Sequence, residues 1–175
     1  MVRESDIGWL CGLVGRAEPD EGWEEDEHVR YWLYQECLSA CTAGTEAAIV
    51  EIVVRDPDRA MAESTLVRYV DGLAPDCGSA GSFADRVQGI AARAAGFDFL
   101  RTRIEHWMLV KRADTDPAGV LPEILAGTHW LQRRTVETSR SRRVLTALAE
   151  DGGSRKVRNA AAERLRRESP DGWVP

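Results

Sequence analysis

The chain has 175 residues, 43% of them hydrophobic and 30% charged, with a formal net charge of −6. That balance belongs to a folded domain with a proper core and excludes wholesale disorder. No apolar run approaches the roughly 18 residues that a membrane-spanning helix requires, so no membrane partner is expected.

The charge is divided along the chain. Residues 1–100 hold 8 Lys or Arg against 19 Asp or Glu, a net of −11, whereas residues 101–175 hold 15 against 10, a net of +5. Such asymmetry implies an acidic part and a basic part with different binding preferences.

In chain order, residues 5–15 form a first helix, with Ser5 or Asp6 as cap and Ile7, Leu10, Cys11 and Val14 on one face. Glu4 and Asp6 precede this apolar run, where a signal peptide carries positive charge, and a cytoplasmic protein is expected. A second helix follows over 25–42, with Val29, Trp32, Leu33, Cys37, Ala40 and Cys41 on its apolar side and Tyr31 and Tyr34 at its edges. The stretch 46–55 is rich in β-branched residues, as strands are. No second strand candidate exists to pair with it, so a buried helix is expected. Asp56 and Pro57 open a helix over 57–73, by cap and first-turn proline. Ser82 and Asp85 resemble a capping box before Phe83, Val87, Ile90 and Ala94. Asp98 caps a helix bearing Leu100, Ile104, Trp107 and Met108. Pro122 is placed in the first turn of a helix over 122–137, which Gly127 weakens.

The most regular stretch is Val144 to Arg167. Val144, Leu145 and Leu148 share a helix face, with Thr138 or Ser139 as cap. Asp151, Gly152 and Gly153 stop that helix, glycine supplying a positive φ, and Ser154 caps the next. In the second helix Val157, Ala161 and Leu165 repeat every four residues. This hairpin resembles a HEAT repeat, whose second helix follows an Asp-rich turn and opens with Val-Arg, small residues and Leu, here Asp151, Val157, Arg158, Ala161 and Leu165. A weaker copy runs from Ile49 through Asp56-Pro57-Asp58 to Leu66 and Leu73, with Met61 and Ala62 in place of Val-Arg. The sum is an all-α fold of about nine helices, a HEAT-like α-solenoid or compact helical array. It occupies 1–168 as a single domain, with 169–175 as a loose tail.

No P-loop, GxGxxG, GxSxG elbow or HExxH is present. Cys11, Cys37, Cys41 and Cys77 have no CxxC spacing, and His28, His106 and His129 read as surface or boundary residues. No catalytic residue, cofactor or metal site is expected. Trp9, Trp32, Trp107 and Trp130 fit helix faces and are expected in the core, whereas Trp23 and Trp173 fall outside helices. Two surfaces stand out. Trp23, Glu24, Glu25, Asp26 and Glu27 suit a basic protein partner, as an immunity or inhibitor protein would present. Alternatively, Arg133, Arg140, Arg142 and Arg143 meet nucleic-acid phosphates. That reading resembles the HEAT-like alkylpurine DNA glycosylases, with Trp107 beside Asp114 or Asp116 imitating their Trp and Asp.

Overall fold

The structure, a computed structural model, describes residues 2–17, 22 and 26–167. Ten α-helices and no strand occur among them. They are α1 (Glu4–Val14), α2 (Glu27–Ala40), α3 (Ala43–Val54), α4 (Arg59–Leu73), α5 (Ala80–Arg93), α6 (Asp98–Arg112), α7 (Pro117–Ala126), α8 (His129–Thr138), α9 (Arg142–Asp151) and α10 (Arg155–Arg167). The all-α expectation holds, and the β-branched stretch is α3, with Ile49, Val50, Ile52 and Val53 buried. None of the described helices is long and apolar enough to cross a membrane.

The expected count of nine becomes ten because 122–137 is two helices. Asp116 accepts a hydrogen bond from the Gly119 amide and starts α7 at Pro117, which leaves Pro122 inside the helix. Gly127 then leaves helical geometry, and Thr128 caps α8 through the Leu131 amide at 3.2 Å. Glycine at 127 fits a tight space: a Cβ there would lie 2.6 Å from Leu131 Cδ2 and 3.0 Å from the Glu123 carbonyl oxygen.

Several caps also move. Asp6 stands in the first turn of α1 and accepts from the Arg3 amide at 3.0 Å. Asp58, not Asp56, caps α4, through the Met61 amide at 2.9 Å. Ser79 caps α5, with Ser82 at its third position. The start of α6 is capped from outside: Glu63 accepts from the amides of Phe99 and Leu100 at 2.7 and 3.0 Å. Ser141 caps α9, while Ser154 caps α10 as expected.

The chain divides into two units, Met1–Ile104 and Glu105–Pro175. Within the first, α1 packs on α2, and α2 on α3, and α3 on α4. Alternate helices also meet, α2 on α4 and α3 on α5. Within the second, α7, α8, α9 and α10 pack in sequence, again with alternate contacts, α7 on α9 and α8 on α10. Neighbour-plus-alternate packing is what stacked helical hairpins produce.

In the first unit the face that α2 buries differs from the expected one. Arg30, Leu33, Tyr34, Cys37 and Leu38 point inward, whereas Val29, Trp32 and Ala40 are exposed. The cause is Asp56, whose carboxylate is fully buried after α3. Arg30 Nε donates to its Oδ2 at 2.9 Å, Tyr34 OH donates to the same atom at 2.8 Å, and the Asp58 amide donates to Oδ1 at 2.9 Å. A buried carboxylate is tolerated only when paired and hydrogen-bonded, and these donors turn α2 toward it.

In the second unit the Gly152 turn differs from expectation in a similar way. Gly152 has φ −57°, so its glycine is not there for left-handed backbone. A Cβ would stand 2.5 Å from the Leu148 carbonyl oxygen and 2.8 Å from Val157 Cγ1. α9 and α10 close on each other over that missing methyl group.

Two predictions follow from these contacts. Asp56→Ala removes the buried carboxylate that the Arg30 guanidinium, the Tyr34 hydroxyl and the Asp58 amide share, and is expected to lower unfolding free energy by about 3–5 kcal/mol in denaturant titration. Gly152→Ala is expected to cost about 1–3 kcal/mol by overpacking, and a lowered thermal midpoint with unchanged helical circular dichroism checks it.

Candidate functional site

Turning α2 toward Asp56 pushes its opposite face into solvent. That face forms one wall of an open cleft of about 850 Å³. Cys11 of α1, Arg16 just after it, Val29, Trp32 and Leu33 of α2 and Arg68 of α4 border the cleft. Trp32 is 61% exposed and Val29 38%, which corrects the expectation of a core tryptophan. The Tyr31 ring meets the Trp32 indole edge-on at 5.4 Å and limits its swing. Arg16 pairs with Glu36 at 2.6 Å. Arg68 is exposed, and no carboxylate among the described residues pairs with it.

A second depression of about 430 Å³ adjoins the first, and Gln35, Ser39 and Arg68 border both. Its far side is a polar cluster. Arg86 donates to Glu46 at 2.7 Å and to Tyr69 OH at 3.0 Å; Tyr69 OH donates to Glu46, and the Cys41 thiol lies 3.1 Å from Tyr69 OH. Burial pushes Glu46 up, but the hydrogen bonds from Arg86 and Tyr69 outweigh it and hold the carboxyl below the usual range. Burial, then the bonds to Cys41 and Glu46, raises Tyr69 well above an ordinary phenol. Cys37 is buried, its thiol bonded to the Leu10 carbonyl and pushed up to about 12 by burial, so it is a packing residue rather than a nucleophile. All four cysteines are free thiols. No group of three potential metal ligands occurs among the described residues.

The expected acidic surface is only partly in view. Trp23, Glu24 and Glu25 lie outside the described residues, as does Trp173. Asp26 is exposed and caps α2, accepting from the amides of His28 and Val29 at 2.9 and 3.3 Å. Glu27 is exposed at the first position of α2.

In the second unit the structure brings Arg142 and Arg143 together. Both are exposed and border a depression of about 450 Å³ with Leu121 and Glu150. Arg140 is exposed in the turn before them. Arg133 borders a separate, smaller hollow with His129, Trp130 and Arg134, and lies 3.7 Å from Glu137. Trp107 is 3% exposed, meets Trp130 edge-on at 5.5 Å and lies under the Arg134 guanidinium at 5.3 Å. Asp114 accepts from Ser139 Oγ at 2.6 Å and from the amides of Arg140 and Ser141 at 2.8 and 3.0 Å. Asp116 caps α7 and pairs with Arg112 at 2.7 Å. These three residues therefore carry packing and turn geometry.

The sequence reading missed the cleft and Arg68. The available signal was Arg30 and Tyr34, four apart, with the Asp56-Pro57-Asp58 turn able to receive both. An apolar-only periodicity discards such a pattern.

The Glu46 cluster carries a pH signature. A carboxyl held below its unfolded value stabilises the fold fully above that value and loses the contribution as pH falls through the folded one. Glu46→Gln is expected to cost about 1.5 kcal/mol at pH 7. The difference from the native protein should shrink below about pH 4, as denaturant titrations across pH would show. Neither protein-family models, nor curated proteins, nor solved structures give a match to this chain.

Proposed function

We propose that this chain is a non-enzymatic protein-binding module, HEAT-like in build, that holds a partner protein at the cleft bordered by α1, α2 and α4. The observation that carries this reading is Trp32, 61% exposed at the rim of an 850 Å³ cleft. An exposed indole beside apolar side chains costs solubility and repays it at a contact, where tryptophan is enriched among the residues that dominate affinity. Neighbour-plus-alternate helix packing supports the HEAT-like build, and such arrays present extended surfaces to partners. The net charge of −11 over residues 1–100 steers a partner that is basic overall, as a toxin-neutralising immunity protein would require. A second reading is nucleic-acid binding through the exposed Arg140, Arg142 and Arg143 around the start of α9. It predicts affinity that falls steeply with salt.

The test is capture from a native lysate on the immobilised chain, with nuclease, followed by titration of the captured protein. A stoichiometric protein partner is expected to survive nuclease and to bind Trp32→Ala at least thirtyfold more weakly, about 2 kcal/mol. Replacing Glu24, Glu25 and Glu27 together by Gln should slow association, most at low salt. Equal binding by the Trp32→Ala chain would refute the cleft. Retention of nucleic acid alone, lost when Arg140, Arg142 and Arg143 become Ala, would favour the second reading.

A further inference from the structure

We infer that the adjoining clefts of Met1–Ile104 receive one short segment of the partner protein, in which an aromatic or branched aliphatic side chain lies close to a single carboxylate, with basic residues flanking the pair. This rests on the protein-binding reading and specifies what the site recognises. The first cleft offers an apolar wall of Val29, Trp32 and Leu33. Arg68 stands where the two clefts meet, bordering both. The other arginines of the clefts are engaged, Arg16 by Glu36 and Arg86 by Glu46 and Tyr69. Arg68 alone among these three has no acidic partner in the described residues. A guanidinium presents a planar fork of donors that matches a carboxylate two bonds at a time. An adjoining apolar wall excludes water once a side chain covers it, which strengthens that pair.

Charge decides between a carboxylate and a phosphate. Among the described residues the clefts set one cation without an acidic partner, Arg68, within a sequence region of net charge −11. A phosphate brings close to two negative charges and would leave one uncompensated in that field. A carboxylate is neutralised one for one. The same field favours Lys or Arg on either side of the segment, so a basic partner contributes one local acid. A second copy of this chain would bring its own acid-rich unit against this one and is disfavoured on the same ground.

The test selects a phage-displayed library of random 12-residue peptides on the full chain, then titrates the dominant peptide by calorimetry. The recovered peptides are expected to share Trp, Phe, Leu or Ile within three positions of Asp or Glu. Arg68→Ala is expected to weaken binding at least tenfold, and Arg68→Lys by less, because charge remains while the fork is lost. Changing the peptide's acid to its amide should weaken binding to the native chain by a similar factor and leave binding to Arg68→Ala nearly unchanged. Arg68 is exposed, so its variants are expected to keep the native thermal midpoint. The inference is overturned if no peptide is enriched, if the enriched peptides lack an acid, or if their affinity ignores Arg68. It is also overturned if a phosphoserine in place of the acid binds more tightly, or if sedimentation shows the chain self-associating through Trp32. A lysate partner that depends on Trp32 but not on Arg68 would remove this inference and leave the protein-binding reading standing; one that ignores Trp32 would remove that reading itself.

Discussion

In the first unit α2, the turn after α3 and the start of α4 answer to one buried carboxylate. Asp56 follows α3 in the turn that leads to α4, with no exposed side-chain surface, and an ion in that position must be paired. Arg30 and Tyr34 come from α2 to meet it, so one interaction fixes the turn after α3, the rotation of α2 and the start of α4, whose cap is Asp58 two residues on. Burial, then the bond to Asp56, raises the Tyr34 phenol well above its ordinary range, so it acts as a fixed donor. The consequence reaches function directly. With Arg30 and Tyr34 inside, Val29 and Trp32 are outside, where they line the cleft.

The second unit uses the same device with backbone amides and carbonyls as the main partners. Gln132 is buried and bonds three backbone groups: its amide donates to the carbonyls of Leu125 and Gly127, and its oxygen accepts from the Gly153 amide. It thereby ties the α7–α8 turn to the α9–α10 turn. At the other end of α8, Arg164 donates to the carbonyls of Val136, Glu137 and Ser139, while Asp114 gathers Ser139, Arg140 and Ser141. Helix ends leave carbonyls and amides without partners, and here side chains from other helices and from the turn after α6 supply them. Each of these polar residues would be assigned to the surface by composition alone.

The sequence was most readable where apolar spacing and local caps agree. The Val144–Arg167 hairpin, the Ser154 cap and the helical state of residues 46–55 are cases of this kind, because a short β-branched run without a pairing partner can satisfy its backbone only as helix. Legibility failed where a distant side chain decided the outcome. Glu63 caps α6 from thirty-odd residues away, and nothing near Asp98 announces it. Gly127 and Gly152 mark tight helix contacts, with Leu131 and Leu148 supplying the atoms they avoid, and Gly152 is not the left-handed turn residue that its place after Asp151 suggests. The candidate site suffered most. Trp32 reads as core by periodicity, and Arg68 reads as one more surface arginine until α1, α2 and α4 are seen to enclose the space beside it.

The most direct measurement of this account is fluorine NMR of the chain labelled with 5-fluorotryptophan, the signals of Trp32 and Trp107 being assigned by single substitution to Phe. A soluble paramagnetic reagent should broaden the Trp32 signal strongly and spare that of Trp107. That result would establish that α2 buries the face bearing Arg30 and Tyr34 and presents its indole to solvent. A Trp32 signal as well protected as that of Trp107 would contradict the rotation of α2, and the cleft would fall with it.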